Sequence, residues 1–487
     1  MPCTTILVGK HASYDGSTLM ARNEDSPSGK FTAKKFVVVN PEDQPRQYHS
    51  VLSKFSLALA EAPLRYTAMP NAEADEGIWG EAGINEANVA MSETETITSN
   101  ARVLGADPLV PDGIGEEDML TLVLPYIRSA REGVLRLGDL LGRYGTYEMN
   151  GIGFQDRDEI WWMETIGGHH WMARRVPDDG YVVMPNQQGI DTLNLADALG
   201  AGKDTLCSAD LADFIRDHFL DLTMDEDKGG PLEAAVAFDA RAAFGSHDDA
   251  DHTYNTPRAW FILRYLNPTT FRWDGPEADF RPEDDNLPWT LVPERKITVE
   301  DVKYVLSGHY QGTPFDCYGR GPADLRGKYR PIGINRNNFV AVTQLRPYGD
   351  PERCAVEWIA EGCNVFNALV PFYANVTKTP AYLAETGKIP DTNQFYWANR
   401  LIGALSDAHF ALCANPIERY QNAVGARARA MLEQFDKTPC EGAVTDFLAQ
   451  CNEAFAAMAK EETDACLGNV LYQASSAMKN SFARSDS

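Results

Sequence analysis

Basic residues are scarce in this chain: 44 lysines and arginines stand against 70 aspartates and glutamates, a net charge of -26 over 487 residues. A field of that sign repels nucleic-acid phosphates and anionic lipid surfaces, so neither is an expected partner. Long apolar runs are missing too. None approaches the ~20 residues of a membrane span, and Met1-Pro2-Cys3-Thr4-Thr5 lacks the basic start and apolar stretch of a secretory leader. The expected compartment is therefore the cytoplasm. The nine cysteines are odd in number and include no C-x-x-C pair, which argues for reduced thiols over a disulfide framework or a zinc site. No metal or cofactor is expected. A Pro/Gly/Ser-rich linker, internal repeats and low-complexity segments are also absent.

What is present reads as sheet and helix in alternating blocks. Short strands are expected at Thr4–Val8, Thr18–Arg22, Phe36–Val39, Ser56–Leu59 and Asn88–Ser92, separated by turn residues such as Asp15-Gly16. From Glu116 the apolar positions Met119, Leu122, Val123 and Tyr126 fall at helical spacing, and three acidic residues suit the positive end of that helix. Leu135–Leu141 predicts a second helix. Strands return at Glu159–Met163, Trp171–Arg175, Tyr181–Met184, Ala259–Tyr265, Phe339–Leu345 and Val356–Ala360. Beyond about residue 400 the chain is rich in Ala, Leu and Glu and is expected to be helical. This pattern predicts an α+β class, with a core over residues 1–400 that includes a helical excursion near 116–142. Residues 401–487 form a helical part packed on that core.

Cys3 taken alone is a small apolar residue opening a buried strand. Its neighbours change that reading, because Arg22 and Asp25 close the next strand. A thiol of ordinary pKa ~8.5 needs a base at neutral pH, and a free α-amine on the same residue, with pKa ~7.7–8.0, is a suitable one. That amine exists only once the residues before Cys3 are removed. Arg22 would favour the thiolate, and Asp25 would hold either Arg22 or the ammonium. A two-residue Asp15-Gly16 turn would pair Arg22 with Gly9, ~20 Å along the strand from Cys3. If residues 10–16 loop out instead, Gly9 faces Ser17 and Arg22 falls opposite Thr4. A catalytic role predicts the second register.

Cys3-Thr4-Thr5, Asp15-Gly16-Ser17-Thr18, Ala21-Arg22-Asn23, Gly83-Ile84-Asn85-Glu86, Ser129-Ala130-Arg131-Glu132-Gly133, the segment Glu164 to Trp171, Pro185-Asn186-Gln187 and His309-Tyr310-Gln311-Gly312-Thr313-Pro314 occur in one order. In these the chain resembles the cysteine dipeptidases, relatives of the secernins and, more distantly, of penicillin and bile-salt amidases within the N-terminal-nucleophile (Ntn) hydrolases. The resemblance implies an αββα sandwich of two antiparallel sheets and dipeptide hydrolysis through a thioester acyl-enzyme on Cys3. It also implies Asn186 as donor to the tetrahedral oxyanion and Arg258 as a second arginine near the nucleophile.

Ser92 and Glu93 follow a strand, and Glu93 is expected to meet the amino group of a dipeptide. His169-His170 suggests a metal only weakly, since adjacent strand residues point to opposite faces. A homo-oligomer is expected. Two rival functions remain: an amidase for N-acyl or β-lactam substrates, and a non-catalytic secernin-like scaffold.

Overall fold

The structure, a computed structural model, describes residues 3–60, 62–75, 77–95, 97–224 and 231–479. Two large sheets dominate, built from strands β1 (Cys3–Val8), β2 (Thr18–Asp25), β3 (Ala82–Ile84), β4 (Ala90–Glu95), β5 (Asn150–Gln155), β6 (Ile160–Ile166), β7 (His170–Arg175), β8 (Tyr181–Met184), β9 (Thr205–Cys207), β10 (Thr290–Leu291), β11 (Asn337–Leu345), β12 (Ala355–Glu361) and β13 (Val370–Tyr373). The seven-stranded sheet runs β10-β8-β1-β2-β11-β12-β13, and the six-stranded sheet runs β9-β7-β6-β5-β4-β3. The strand pairs in both are antiparallel. The main helices are α1 (Glu116–Val123), α2 (Ala130–Tyr144), α3 (Thr256–Leu266), α4 (Val299–Leu306), α5 (Phe395–Asp407), α6 (Phe410–Lys437) and α7 (Val444–Ser476).

Three apolar clusters define four layers. Leu7 and Met20 of the larger sheet meet Ala90, Trp162 and Met172 of the smaller one in the space between sheets. Met91, Ile152, Phe154 and Trp161 face outward onto α1 and α2. Ile6, Val8, Ala21 and Val340 face α3, α4 and the C-terminal helices through Trp260, Val302, Cys413 and Phe455. The class is α+β, and the layering is αββα. It arises because each sheet is apolar on both faces and so must be covered twice.

One expected strand is a helix. Ala259–Tyr265 lies within α3, where Pro257 sits in the first turn and nearly every residue is buried. A helix buried on most of its circumference loses the polar stripe that marks its period, so its apolar run reads equally as a strand. A central strand, β5, also goes unread, because Asn150-Gly151-Ile152-Gly153 looks like a turn. Its glycines serve packing: an added Cβ would lie 2.2 Å from the Trp162 ring at Gly151 and 2.5 Å from Met20 Sδ at Gly153.

Candidate active site

The register of β1 on β2 decides what Cys3 meets. Residues 9–17 loop out, with Ala12 N and Ser13 N both donating to Gly9 O, and the pairing is Cys3 with Glu24, Thr4 with Asn23 and Thr5 with Arg22. This is one residue away from the expected register, in which Arg22 opposed Thr4. The difference matters, because directly opposed residues share a face and alternate residues return to it. Opposite Thr5, Arg22 projects to the same side as Cys3; opposite Thr4 it would have pointed away. Arg22 Nη2 accordingly lies 2.7 Å from Cys3 Sγ.

Arg22 is fully buried and ion-paired to two glutamates, Glu81 at 2.8 Å and Glu116 at 3.2 Å. Glu81 also pairs with Lys34 (3.1 Å), which reaches Glu24 at 2.9 Å. Neither glutamate was legible as a site residue. Glu81 precedes β3 with a φ of 67°, a left-handed backbone that non-glycine residues adopt only where surrounding contacts hold it. Glu116 opens α1, where an acidic residue suits the helix dipole, yet its side chain is turned inward to Arg22. Its neighbours Glu117 and Asp118 are used elsewhere, accepting from the backbone of Val51 and Leu52 and from Tyr48 Oη.

Three buried carboxylates thus surround two buried cations. Burial, reinforced by Glu81, raises Glu24 to about 7 in spite of Lys34. Burial also pushes the Cys3 thiol up to about 12; Arg22 works against this, while Glu116 and Glu81 add to it. With its amino group still in a peptide bond, Cys3 is therefore held as a thiol.

Asp25 does not hold Arg22. Its carboxylate accepts from Arg330 and Asn337, and from Asn23 Nδ2 at 3.2 Å. Asn23 and Asp25 alternate with Arg22 and so occupy the other face of β2. From there Asn23 Oδ1 accepts from Thr4 N at 2.7 Å, so Asp25 acts on the backbone beside Cys3 and not on its thiol.

Asn186 follows β8, and its Oδ1 accepts from Cys3 N (3.2 Å) and Arg258 Nη2 (2.7 Å). That engagement turns the amide nitrogen into the donor end of the side chain. Arg258, on α3 and not before a strand, donates to Cys3 O at 2.5 Å and Thr4 Oγ1 at 2.8 Å. Burial and then Arg330 lower its guanidinium to about 9.

Ser92 and Glu93 diverge. Ser92 opposes Gly153 and faces the space between the sheets, on the Cys3 side, with its hydroxyl buried and unpartnered. Glu93 opposes Ile152 and faces the α1 layer. Burial, then Glu116 and Glu81, raise its carboxyl well above the usual range.

His169 and His170 do not diverge as adjacent strand residues would, because His169 belongs to the turn and β7 begins at His170. Both Nδ1 atoms reach Asp107, at 2.8 and 2.7 Å. Burial works against the ionised carboxylate, but hydrogen bonds from His170 and His169 hold Asp107 well below its ordinary pKa. A depressed carboxyl stabilises the fold above its unfolded pKa of ~3.9 and loses that contribution as pH falls from there through its lower folded pKa. Asp107→Asn is expected to lower stability by about 1–3 kcal/mol at neutral pH, with the gap closing below about pH 4. Urea denaturation at both pH values checks this.

Among the described residues His309, Asp316 and Cys317 bring three potential metal-ligand atoms within 4.8 Å of one another. Asp316 Oδ1 is already engaged by His309 Nδ1 (2.7 Å) and Tyr318 N (2.9 Å). No helix among the described residues is long and apolar enough to cross a membrane.

The chain is 51% identical to the dipeptidase of Bifidobacterium longum (strain NCC 2705), over 100% of both chains. It is 44% identical to dipeptidase A of Lactobacillus helveticus, over 89% of this chain and 88% of that one. Among solved structures, the penicillin V acylase from Agrobacterium tumefaciens aligns over 79% of this chain and 89% of its own, with a TM-score of 0.33 and 13% identity. The model of peptidase family C69 matches residues 2–423, and the chain belongs to that family.

Proposed function

We propose that this protein hydrolyses the amide bond of dipeptides, with Cys3 as an N-terminal nucleophile. The observation that carries the reading is the contact between Arg22 and the Cys3 thiol inside a buried cluster that has one carboxylate more than it has cations. Release of the Cys3 α-amine supplies both a cation for that cluster and the base the thiol lacks. The thiolate attacks the scissile carbonyl, and the amine passes the proton to the leaving amino acid. Water then cleaves the thioester. Asn186 Nδ2 donates to the oxyanion, and Arg258 keeps Asn186 and the Cys3 carbonyl in place. Asp25 fixes the strand through Asn23. Dipeptides as substrates follow from the activity named for the relatives, and a cytoplasmic homo-oligomer remains the expected setting. Neither the amidase nor the scaffold alternative has a specific observation in its favour.

N-terminal mass analysis of active protein, paired with dipeptide turnover, tests this reading. The mature chain is expected to begin at Cys3. Full turnover by a chain that retains the preceding residues would remove the proposed base.

Glu93 and Ser92 are assigned to the substrate. Ser92 lines the cleft from the opposite sheet, and Glu93, which faces α1 beside Glu116 and Glu81, receives the substrate ammonium from that side and gives up its own proton to solvent. Glu93→Gln is expected to raise KM for dipeptides about tenfold, the effect of losing one charged hydrogen bond, with kcat little changed. A raised carboxyl pKa penalises the fold as pH climbs towards it, so this variant should be no less stable than wild type at neutral pH. An unchanged KM would exclude Glu93 from the substrate site.

A further inference from the structure

A cavity of about 610 Å³ lies on the far side of the seven-stranded sheet from Cys3, between α4, the segment after β12 and α6. Its size is in the range that small-molecule sites occupy. The wall is apolar over Phe366, Phe410 and Ile417, and among the polar residues that interrupt it three stand out: Lys303, Asn367 and Glu418; Glu300 and Asp316 also line it but are already paired, with Arg429 and His309.

Each of the three is chemically unfinished. Lys303 Nζ donates to Ser307 Oγ at 2.8 Å and Asn364 O at 2.7 Å, which leaves one ammonium donor over. No carboxylate of the described residues pairs with it, and burial pushes its amine down to about 7. A lysine in such a place is short of a counter-charge, and a carboxylate brought beside it favours its charged form. Asn367 Nδ2 is spent on Glu361 O and Gly362 O, while its Oδ1 is buried without a hydrogen-bond partner. Glu418 is exposed on α6 at the rim.

An unpaired cation, a buried acceptor, an acid at the mouth and an apolar wall together match a zwitterion with an apolar side chain. We infer that this cavity is a second ligand site, which takes a free apolar α-amino acid. Lys303 receives the carboxylate, Asn367 Oδ1 and Glu418 take the ammonium, and Phe366, Phe410 and Ile417 cover the side chain. The inference does not depend on the reaction assigned to Cys3, because the ligand is not hydrolysed and the residues are separate.

Isothermal titration of the full-length wild-type protein with L-phenylalanine, and with L-phenylalaninamide, which lacks the carboxylate, is the test. Saturable binding of the amino acid is expected, with the amide at least about tenfold weaker. Lys303→Met should weaken binding of the acid about tenfold or more and leave dipeptide turnover intact. Glu93→Gln, which alters the proposed substrate site, should leave it unchanged. If Lys303→Met does not fold, Glu418→Gln on the exposed rim is expected to weaken binding severalfold. Absence of saturation at millimolar concentrations, equal affinity for acid and amide, or unaltered binding in the Lys303 or Glu418 variant would each overturn the assignment.

Discussion

Cys3→Ala is expected to lower kcat/KM for dipeptides by at least about ten-thousandfold while the protein stays folded. Loss of a nucleophile that works as a unit with its base removes essentially all covalent catalysis, and what remains comes from binding and oxyanion contacts. Folding should tolerate the change, since Cys3 is a small buried side chain and its backbone is held independently by Asn186 and Arg258. The variant should also retain the residues that precede position 3 if their removal needs the thiol, and intact mass reports this in the same preparation. Substantial turnover by the alanine variant would place the chemistry elsewhere in the molecule.

The second large effect is expected at Arg22. Arg22→Met keeps most of the side-chain volume but removes the cation that Glu81 and Glu116 share at 2.8 and 3.2 Å with no exposure to water. Breaking a buried pair by removing one partner typically costs about 3–5 kcal/mol, because the surviving charge stays buried without compensation. Urea denaturation at neutral pH should show a loss of that size, and part of it should return at acid pH, where the glutamates are protonated. Activity should fall as well, since the thiol loses the guanidinium that most favours its ionised form. Arg22→Lys is expected to recover only part of either effect, because the shorter lysine places its ammonium short of the Nη2 position that meets the thiol and both carboxylates. If Arg22→Met were as stable as wild type, the buried cluster would not be the structural centre described above.

Much of the machinery was readable from residue types and order. Cys3, Arg22, Asn186 and Arg258 are brought into one hydrogen-bonded group, although they are drawn from β1, β2, the end of β8 and α3. The partners that give Arg22 its environment were not readable. Glu81 carries no local signal, and Glu116 has a sufficient local explanation as the acidic start of a helix. Lys34 lies in a stretch with no regular pattern. Asp25 was expected to hold Arg22 or the ammonium, but positions 22 and 25 of a strand lie on opposite faces, so it cannot reach Arg22 from there.

The sequence by itself determined the class of the fold and singled out Cys3 as the proposed attacking group. Alternating short strands and helical blocks carry the first in their periodicity, and a cysteine followed by a strand, with arginine and aspartate on the next, carries the second. Only the tertiary structure decided which face each side chain takes. That choice depends on how many residues loop out between β1 and β2, and a shift of one residue reverses every side chain on the strand. It also decided the charge balance around the thiol. Glu24, Lys34, Glu81 and Glu116 come from separate parts of the chain, and their energies are set by distance and burial, neither of which is written in local sequence.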